Sequence, residues 1–338
     1  MKALQITHHQ ECSLVDIDTP HVSSGEVLLR VKHVGFCGSD INTFMGRNLM
    51  ALDPVIPGHE VGGVIEAMGD GVPSGLYVGQ TVTCNPYTSC GHCASCRRGR
   101  VNACEHNQTL GVQRDGAMCE FITLPWQKVI PSAGLSTLES ALVEPMSVGF
   151  HAVSRAQVTD VDTVLVIGCG MVGLGAVVRS ALRGATVIAA DIDDDKLSLA
   201  RELGATHIVN TRTDCHRQLL QLTEGFGPDV VIEAVGSIPT YQMAVSEVAF
   251  TGRVVCIGYA KSDVELPTRL FVQKELDVRG SRNADPADFR AVIRYLRQGS
   301  CPTDCLITRV VRPESALDAL RWWSRNPGKV FRILVEFG

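Results

Sequence analysis

The chain has 338 residues with a formal net charge of −5, and charged residues make up 20% of it. This length suffices for two domains, whereas the acidic balance argues against nucleic acid or an anionic membrane surface as a partner. No apolar run reaches the length of a signal peptide or a membrane span. The thirteen cysteines are scattered and odd in number, which indicates a reducing compartment. The sequence therefore predicts a soluble, cytoplasmic protein.

Short apolar segments punctuated by glycine and proline follow one another in residues 1–148, which we predict to form one domain. This pattern is typical of a strongly curved, mostly antiparallel β unit. The clearest predicted strands are EVLLRVKHV (26–34), EVGGVIEAM (60–68), QTVTCNP (80–86) and AMCEFITL (117–124).

Four cysteines are concentrated in one segment of this domain, SCGHCASCRRGRVNAC, with the spacing C-x2-C-x2-C-x7-C. Four thiolates satisfy the tetrahedral all-sulfur coordination of a structural zinc ion, which we predict within a lobe spanning about 84–107. An iron–sulfur cluster is an alternative, although no proline follows the last cysteine. Unligated or disulfide-bonded cysteines are a further alternative. The predicted ligands are Cys90, Cys93, Cys96 and Cys104.

A second candidate metal site comprises Cys37 in VGFCGSD and His59 with Glu60 in PGHEVGG. A thiolate, an imidazole and a carboxylate on glycine-flanked turns can hold zinc and leave a fourth position open. Each residue is a weak signal alone, since a single histidine is more often a core or surface residue. Together with Glu144 in LVEPMSVGFHA they form a candidate catalytic site.

Strand and helix patterns alternate in residues 149–284, which predicts a parallel sheet covered by helices on both faces. The first predicted strand, TVLVIGCG (163–170), runs into the motif Gly168-x-Gly170-x-x-Gly173, which opens a predicted helix. Such a turn brings a dinucleotide pyrophosphate to the helix N-terminus. We include Met171 and Val172 of the first helical turn in this binding site.

Asp191 ends the next predicted strand, where a carboxylate can bind the hydroxyl groups of the adenosine ribose. Because a 2′-phosphate would meet a like charge there, NAD is predicted in preference to NADP. The competing interpretation is that Asp191 only caps the following helix.

The final segment, residues 285–338, leaves this alternation and is predicted to complete the first domain. The dinucleotide-binding domain would then be an insertion. The predicted elements are a helix at 285–297, a strand at 305–311, a helix at 313–326 and a strand at 329–337.

On these motifs the chain resembles the zinc-dependent medium-chain alcohol/polyol dehydrogenases over essentially its full length. The matching segments are Cys37-Gly38-Ser39-Asp40, Gly58-His59-Glu60, the four-cysteine segment, Leu142-Val143-Glu144-Pro145 and the Gly168 turn. The resemblance implies a GroES-like catalytic domain with an inserted Rossmann domain, two zinc ions per chain, NAD and a homodimer or homotetramer. It implies Cys37, His59 and Glu60 as ligands of the catalytic zinc, with Glu144 binding directly or through water. It places Lys196 at the ribose and Ile257, Gly258, Ser281 and Arg282 towards the nicotinamide.

Two departures from the family pattern bear on substrate and mechanism. Glu144 stands where ethanol-type enzymes have a second cysteine, as in the sorbitol, threonine and sugar-acid branches. Asn42 stands where many relatives have the histidine that ends a proton relay, and Ser39 occupies the position that begins it. The competing interpretation of Ser39 is a simple turn residue.

The resemblance implies reversible oxidation of a secondary alcohol, with zinc as a Lewis acid and nicotinamide as the hydride acceptor. GSRNADPADF resembles the corresponding segment of L-galactonate and L-gulonate 5-dehydrogenases and their starvation-sensing relatives. Arg282 could pair with the carboxylate of such a hydroxylated small-molecule substrate, although a contact with the cofactor is the stronger expectation. The alternatives are a neutral polyol or L-threonine-type dehydrogenase, an NAD-binding sensor without turnover, and a zinc-free quinone-reductase-like protein.

Overall fold

The computed structural model describes residues 1–48 and 50–338 and divides into two compact units. The discontinuous unit comprises Met1–Pro145 and Asp285–Gly338, and the central unit comprises Met146–Ala284. In sequence the central unit thus interrupts the other one. The structure divides at Pro145/Met146, whereas the sequence boundary was expected at 148/149.

Strands and helices are numbered here in chain order. The strands are β1 (Lys2–Ile6), β2 (Cys12–Asp16), β3 (Glu26–Phe36), β4 (Glu60–Met68), β5 (Thr81–Cys84), β6 (Phe121–Pro125), β7 (Val129–Pro131), β8 (Thr163–Ile167), β9 (Thr186–Asp191), β10 (His207–Asn210), β11 (Val230–Glu233), β12 (Arg253–Cys256), β13 (Asp277–Gly280), β14 (Arg309–Val311) and β15 (Ile333–Glu336). The α-helices are α1 (Gly38–Phe44), α2 (Ala94–Arg97), α3 (Thr137–Ser140), α4 (Val143–Ala156), α5 (Met171–Leu182), α6 (Asp194–Glu202), α7 (Cys215–Leu222), α8 (Ile238–Glu247), α9 (Arg269–Gln273), α10 (Pro286–Leu296), α11 (Thr303–Leu306) and α12 (Ala316–Arg325). Short 3-10 turns cover Val101–Ala103, Trp126–Lys128, Pro313–Ser315 and Pro327–Lys329. No described helix combines the length and the hydropathy that crossing a bilayer requires.

The discontinuous unit is built on a mixed sheet with the order β14-β15-β3-β4-β5-β7, and β6 also pairs with β3. All its pairs are antiparallel except β14 with β15, which confirms the mostly antiparallel prediction. Strand β3 alternates as a half-buried strand should, with Val27, Leu29 and Val31 in the core. Its last residue, Phe36, precedes Cys37 and so delivers that thiol to the end of the strand.

The central unit contains a parallel sheet with the order β10-β9-β8-β11-β12-β13. This is the doubly wound order, and it confirms the α/β Rossmann prediction. Its middle strands are continuous apolar runs, as expected for a sheet buried on both faces. The order in which successive strands join the sheet reverses between the parallel strands β8 and β11, so the carboxyl ends of these two strands flank the crevice in which this fold binds ligands.

Three predicted strands are shorter than the apolar patterns suggested. The strand predicted at 305–311 begins only at Arg309, because Pro302 starts helix α11 and Leu306 is buried as its last residue. The strand predicted at 329–337 is limited to β15, since a 3-10 turn precedes it. In the segment 117–124 only β6 joins the sheet, because residues 117 and 118 bond to the backbone beside Gly58. The helix predicted at 285–297 is confirmed as α10.

Candidate functional site

The turns that end β3 and begin β4 bring Cys37, His59 and Glu60 together. Cys37 is the N-cap of α1, while Glu60 opens β4 opposite Gly35 of β3. One ligand atom from each of the three side chains lies within 4.8 Å of the others. Cys37 and Glu60 lie 23 positions apart in sequence and become neighbours because β3 and β4 pair antiparallel. The structure thus brings these three candidate residues together.

Two of the three residues of this cluster are buried, and several of their polar atoms make no hydrogen bond within the described residues. His59 is 5% exposed and Glu60 is fully buried. Among the described residues, the Nδ1 of His59 and both carboxylate oxygens of Glu60 make no hydrogen bond. Buried polar atoms without partners are costly, and a zinc ion bound by sulfur, nitrogen and oxygen would satisfy them. The donor set therefore fits zinc.

The charge of the cluster favours a cation in the same way. Burial by itself disfavours a charged imidazole, but the Cys37 thiol group, Asp40 and Glu144 raise the pKa of His59 well above its ordinary value. The acidic groups around His59 therefore favour a positive charge on its imidazole. A divalent cation bound to the imidazole would be stabilised by the same acidic groups, and the imidazole would then need no additional proton.

Glu144 lies near the start of α4, outside the set of ligand atoms within 4.8 Å of one another. Its carboxylate accepts a hydrogen bond from the hydroxyl of Tyr87. Burial, and then the nearby Glu60 carboxylate, raise the pKa of Glu144 to about 7. Glu60 is thus the carboxylate that lies with Cys37 and His59 in the structure, and Glu144 is held beside them.

Three further residues contribute to this site and were not assigned to it from the sequence. Asp40 is buried and accepts a 2.7 Å hydrogen bond from the backbone of Cys37. Arg332 forms a 3.0 Å ion pair with Glu60. Tyr87 contacts Glu144, as described above. The three-residue spacing of Cys37 and Asp40 is a capping-box signal that could have indicated Asp40, whereas no local pattern indicates Arg332 or Tyr87.

The first turn of α1 carries Ser39, the residue at which the proton relay is expected to begin. The hydroxyl oxygen of Ser39 is buried and has no hydrogen-bond partner among the described residues. A turn serine commonly bonds to nearby backbone, and the hydroxyl of Ser39 makes no such bond in the described part of the chain. Asn42 lies one turn further along the same helix.

The four cysteines of the predicted structural zinc site also converge. The sulfur atoms of Cys90, Cys93, Cys96 and Cys104 lie within 4.8 Å of one another, and none of the four forms a disulfide. The backbone N–H of Cys90 donates to the sulfur of Cys104 at 3.3 Å, and that of Cys93 donates to Cys90 at 3.3 Å. A tetrahedral four-sulfur zinc site fits this arrangement, and the disulfide alternative does not.

The predicted dinucleotide turn lies between β8 and α5. Gly168 has a φ of 96°, a left-handed conformation that glycine adopts without strain. Gly170 is the N-cap of α5, and a Cβ added there would meet no atom within 4 Å. That open space at a helix N-terminus suits a pyrophosphate. At Gly173 an added Cβ would lie 1.7 Å from the carbonyl oxygen of Gly168, so only glycine allows this close packing.

Substitution of Gly173 by alanine should therefore disrupt the turn. Because the obstructing atom belongs to the backbone, we expect the central unit to lose about 1–3 kcal/mol of stability and NAD affinity to fall at least about tenfold. Denaturant unfolding and NADH fluorescence titration measure these effects. In the control Gly170→Ala, the added Cβ enters open space, so stability should be retained. Equal stability of the two variants would contradict the prediction.

Asp191 hydrogen-bonds to the backbone of two turns of the predicted adenosine site, the turn after β8 and the turn after β9. Its carboxylate accepts hydrogen bonds of 2.7 Å from the backbone N–H of Cys169 and 2.7 Å from that of Ile192. The helix that follows is capped by Asp193, which accepts from the N–H groups of residues 195 and 196. The interpretation of Asp191 as a mere helix cap is therefore wrong. Lys196 lies in the first turn of that helix.

The residues expected on the nicotinamide side follow the ends of β12 and β13. The backbone N–H groups of Ile257 and Gly258 donate to the carbonyl of Glu233 at 2.9 and 3.3 Å. Ser281 is buried, and its hydroxyl has no hydrogen-bond partner among the described residues. Arg282 follows it and is partly buried. These residues lie at the carboxyl ends of parallel strands, where this fold binds ligands.

Comparisons with known proteins identify both parts of the chain. The model of the alcohol dehydrogenase GroES-like domain matches residues 23–134, and that of zinc-binding dehydrogenases matches residues 172–298. Sorbitol dehydrogenase of Bacillus subtilis is 34% identical over 345 residues, covering 99% of this chain and 97% of that protein. L-galactonate-5-dehydrogenase of Escherichia coli is 32% identical over 292 residues, covering 86% of each.

A solved structure resembles the whole chain equally well. It is the alcohol dehydrogenase RspB of Escherichia coli CFT073 in complex with NADH, with a TM-score of 0.91 and 30% identity over 100% of this chain and 99% of that one. Together with the donor sets of the two cysteine-containing sites, these matches assign zinc and a nicotinamide dinucleotide as the cofactors. The chain belongs to the zinc-dependent medium-chain alcohol and polyol dehydrogenases, which are oxidoreductases that act on CH–OH groups.

Proposed function

We propose that this enzyme oxidises a secondary hydroxyl group of a sugar acid or polyol with NAD, with L-galactonate or L-gulonate as the preferred substrate. The supporting observation is the buried cluster of Cys37, His59 and Glu60 with Glu144 beside it. One thiolate and two carboxylates make a more polar metal centre than two thiolates would, and this suits a hydrated, multi-hydroxyl substrate. The similarity to L-galactonate-5-dehydrogenase and sorbitol dehydrogenase supports the same substrate class.

The proposed roles follow from position and donor type. Cys37, His59 and Glu60 hold the catalytic zinc, which supplies Lewis acidity towards an alcohol oxygen. The Gly168 turn and Asp191 hold NAD, the hydride acceptor. The remaining four-cysteine site, Cys90 to Cys104, has no position for a substrate once four sulfur ligands are bound, so we assign it a stabilising role.

Ser39 is proposed to accept the proton of the substrate hydroxyl, since its buried oxygen has a free hydrogen-bonding capacity among the described residues. The proton then leaves through water or a carboxylate, because the amide of Asn42 cannot accept and release it near neutral pH. Asp191 favours NAD over NADP, since its carboxylate would repel a 2′-phosphate. We further propose a homodimer or homotetramer as the assembled form.

The Asn42→His substitution tests this proton route. Because the route does not require residue 42, we expect turnover near neutral pH to stay within about tenfold of wild type, the lower end of the contribution of a positioned acid–base group. Asn42→Ala should behave in the same way. Steady-state kinetics of both variants with the best substrate check this expectation, and a loss far beyond tenfold in either would assign Asn42 a role in proton transfer.

The substrate is tested by matched pairs that differ only at one terminal carbon. L-gulonate and D-sorbitol share one carbon skeleton, as do L-galactonate and galactitol, and each pair compares a carboxylate with a hydroxymethyl group. NADH formation is followed at equal concentrations, with L-threonine as a further substrate. The proposal predicts a higher kcat/KM for the acid of at least one pair. Preference for both alditols would instead favour a neutral polyol dehydrogenase, for which the sorbitol dehydrogenase similarity is the supporting observation.

A further inference from the structure

Tyr87 connects the four-cysteine segment to the catalytic cluster. It precedes Cys90 by three residues, and its side chain is buried, with 4% of the residue exposed. At the far end of the ring, its hydroxyl donates a hydrogen bond to Oε1 of Glu144. A phenol is a rigid spacer, so the position of its oxygen is determined by the backbone that carries it.

That backbone is anchored on several sides. The N–H of Tyr87 donates to the side chain of Asn85 at 3.1 Å, and its carbonyl accepts from the ammonium group of Lys128. Tyr87 also pairs with Thr109 in an antiparallel bridge. These contacts close the base of the loop that contains the four cysteines, so the phenol cannot readily follow a moving carboxylate.

The position of Glu144 shows what this anchoring achieves. Glu144 is 4% exposed, and its carboxylate lies outside the cluster of Cys37, His59 and Glu60. A carboxylate that turned into the cluster could take the fourth coordination position, which a catalytic zinc site must leave open for substrate. The bond from Tyr87 opposes such a rotation, because turning the carboxylate away would break the hydrogen bond of a buried phenol hydroxyl, which is costly.

We propose that Tyr87 is a positioning residue that holds the Glu144 carboxylate out of the resting metal coordination and so keeps the fourth position open. This proposal rests on the proposed catalytic zinc site, and it deepens that assignment by choosing Glu60 as the resting carboxylate ligand. It also gives the four-cysteine loop a second contribution, since the loop carries the residue that restrains Glu144.

The Tyr87→Phe substitution removes the hydroxyl and retains the ring. Glu144 should then enter the coordination sphere as an additional ligand and compete with substrate. We expect release of the catalytic zinc to a chromophoric chelator to become about tenfold slower and KM for the best polyol or sugar acid to rise about tenfold. The visible spectrum of the protein with Co²⁺ in the catalytic site should change as well. The Cys37→Ser protein, which keeps only the loop site, identifies the release phase that belongs to loop zinc.

Two further variants show whether a change in the rate of zinc release has the direction that the proposal predicts. Tyr77→Phe removes a hydroxyl from an exposed tyrosine of the same unit and should change nothing. The double variant Tyr87→Phe/Glu144→Gln should return zinc release to the wild-type rate, because a neutral amide is a poor zinc ligand. A purely structural role of Tyr87 predicts the opposite sign, namely faster zinc release; faster or unchanged release in folded Tyr87→Phe would overturn the proposal.

The single variant Glu144→Gln tests the same idea independently of the folding of Tyr87→Phe. If Glu144 is not a resting ligand, its zinc release should match wild type within about twofold, whereas release tenfold faster would show that Glu144 binds the resting zinc and would refute the proposal. Zinc release and the Co²⁺ spectrum are measured without substrate. A wild-type protein that oxidised none of the tested alcohols would therefore contradict the proposed substrate class and leave this test unaffected.

Discussion

Replacement of Cys37 by serine should reduce the zinc content from about two ions per chain to about one, and turnover should fall by about a thousandfold or more. Cys37 supplies the only thiolate of the buried cluster with His59 and Glu60. A serine hydroxyl is a poor zinc ligand at neutral pH, so the stabilisation of developing charge on the alcohol oxygen, worth several kcal/mol, is lost. Elemental analysis of the purified protein and steady-state kinetics measure the two effects.

The matched control for this prediction is Cys305→Ser. Cys305 is an exposed free thiol outside both metal clusters, so its replacement should leave both zinc content and turnover unchanged. A Cys37→Ser protein that kept full turnover would show that the metal cluster is not the catalytic centre. Loss of both zinc ions would instead indicate unfolding, which circular dichroism detects.

Replacement of Arg332 by methionine should destabilise the protein by about 3–5 kcal/mol when zinc has been removed by a chelator. Arg332 is 4% exposed, its guanidinium donates to the carbonyl of Phe36 at 2.7 Å, and the same nitrogen lies 3.0 Å from the carboxylate of Glu60. Methionine would leave a fully buried carboxylate without its neighbouring positive charge. Denaturant unfolding with and without zinc measures the change.

Zinc binding alters the expected size of this effect. Because a zinc ion bound to Glu60 also compensates its charge, the loss should be smaller in the zinc-loaded protein. The double variant Arg332→Met/Glu60→Gln should recover part of the stability, since it removes the uncompensated charge. Arg312→Met is the matched control: its 3.7 Å ion pair with Glu336 is exposed and should contribute at most about 1 kcal/mol. Equal losses at the two positions would contradict the argument.

Features that depend on contiguous sequence were predictable. The C-x2-C-x2-C-x7-C spacing placed four thiols on one short loop, and the glycine motif with Asp191 indicated a dinucleotide turn. In both cases the local backbone brings the donors together. The strand predictions were least accurate near the C-terminus, in segments 305–311 and 329–337. A hydrophobic pattern shows which residues are buried, but it does not show whether the backbone of those residues pairs with another strand.

The close approach of β3 and β4 is an example of a contact that the local sequence pattern does not identify. Gly35 lies directly opposite Glu60, and a Cβ added there would come within 2.1 Å of the Glu60 carboxylate. The sequence shows a glycine in a strand, a residue that often marks a close approach, without showing what approaches. The register of the two strands supplies that answer.

By itself, the sequence determined the cofactors, the two candidate metal donor sets and the class of fold, because each depends on residue types at short, regular spacings. Only the tertiary structure decided which carboxylate lies with Cys37 and His59, and which groups restrain it. Arg332 reaches Glu60 through the pairing of β15 with β3, and Tyr87 reaches Glu144 across the base of the cysteine loop. These contacts join residues far apart in the chain. They arise because strand pairing decides which side chains surround each buried charged group, and the sequence alone does not show this pairing.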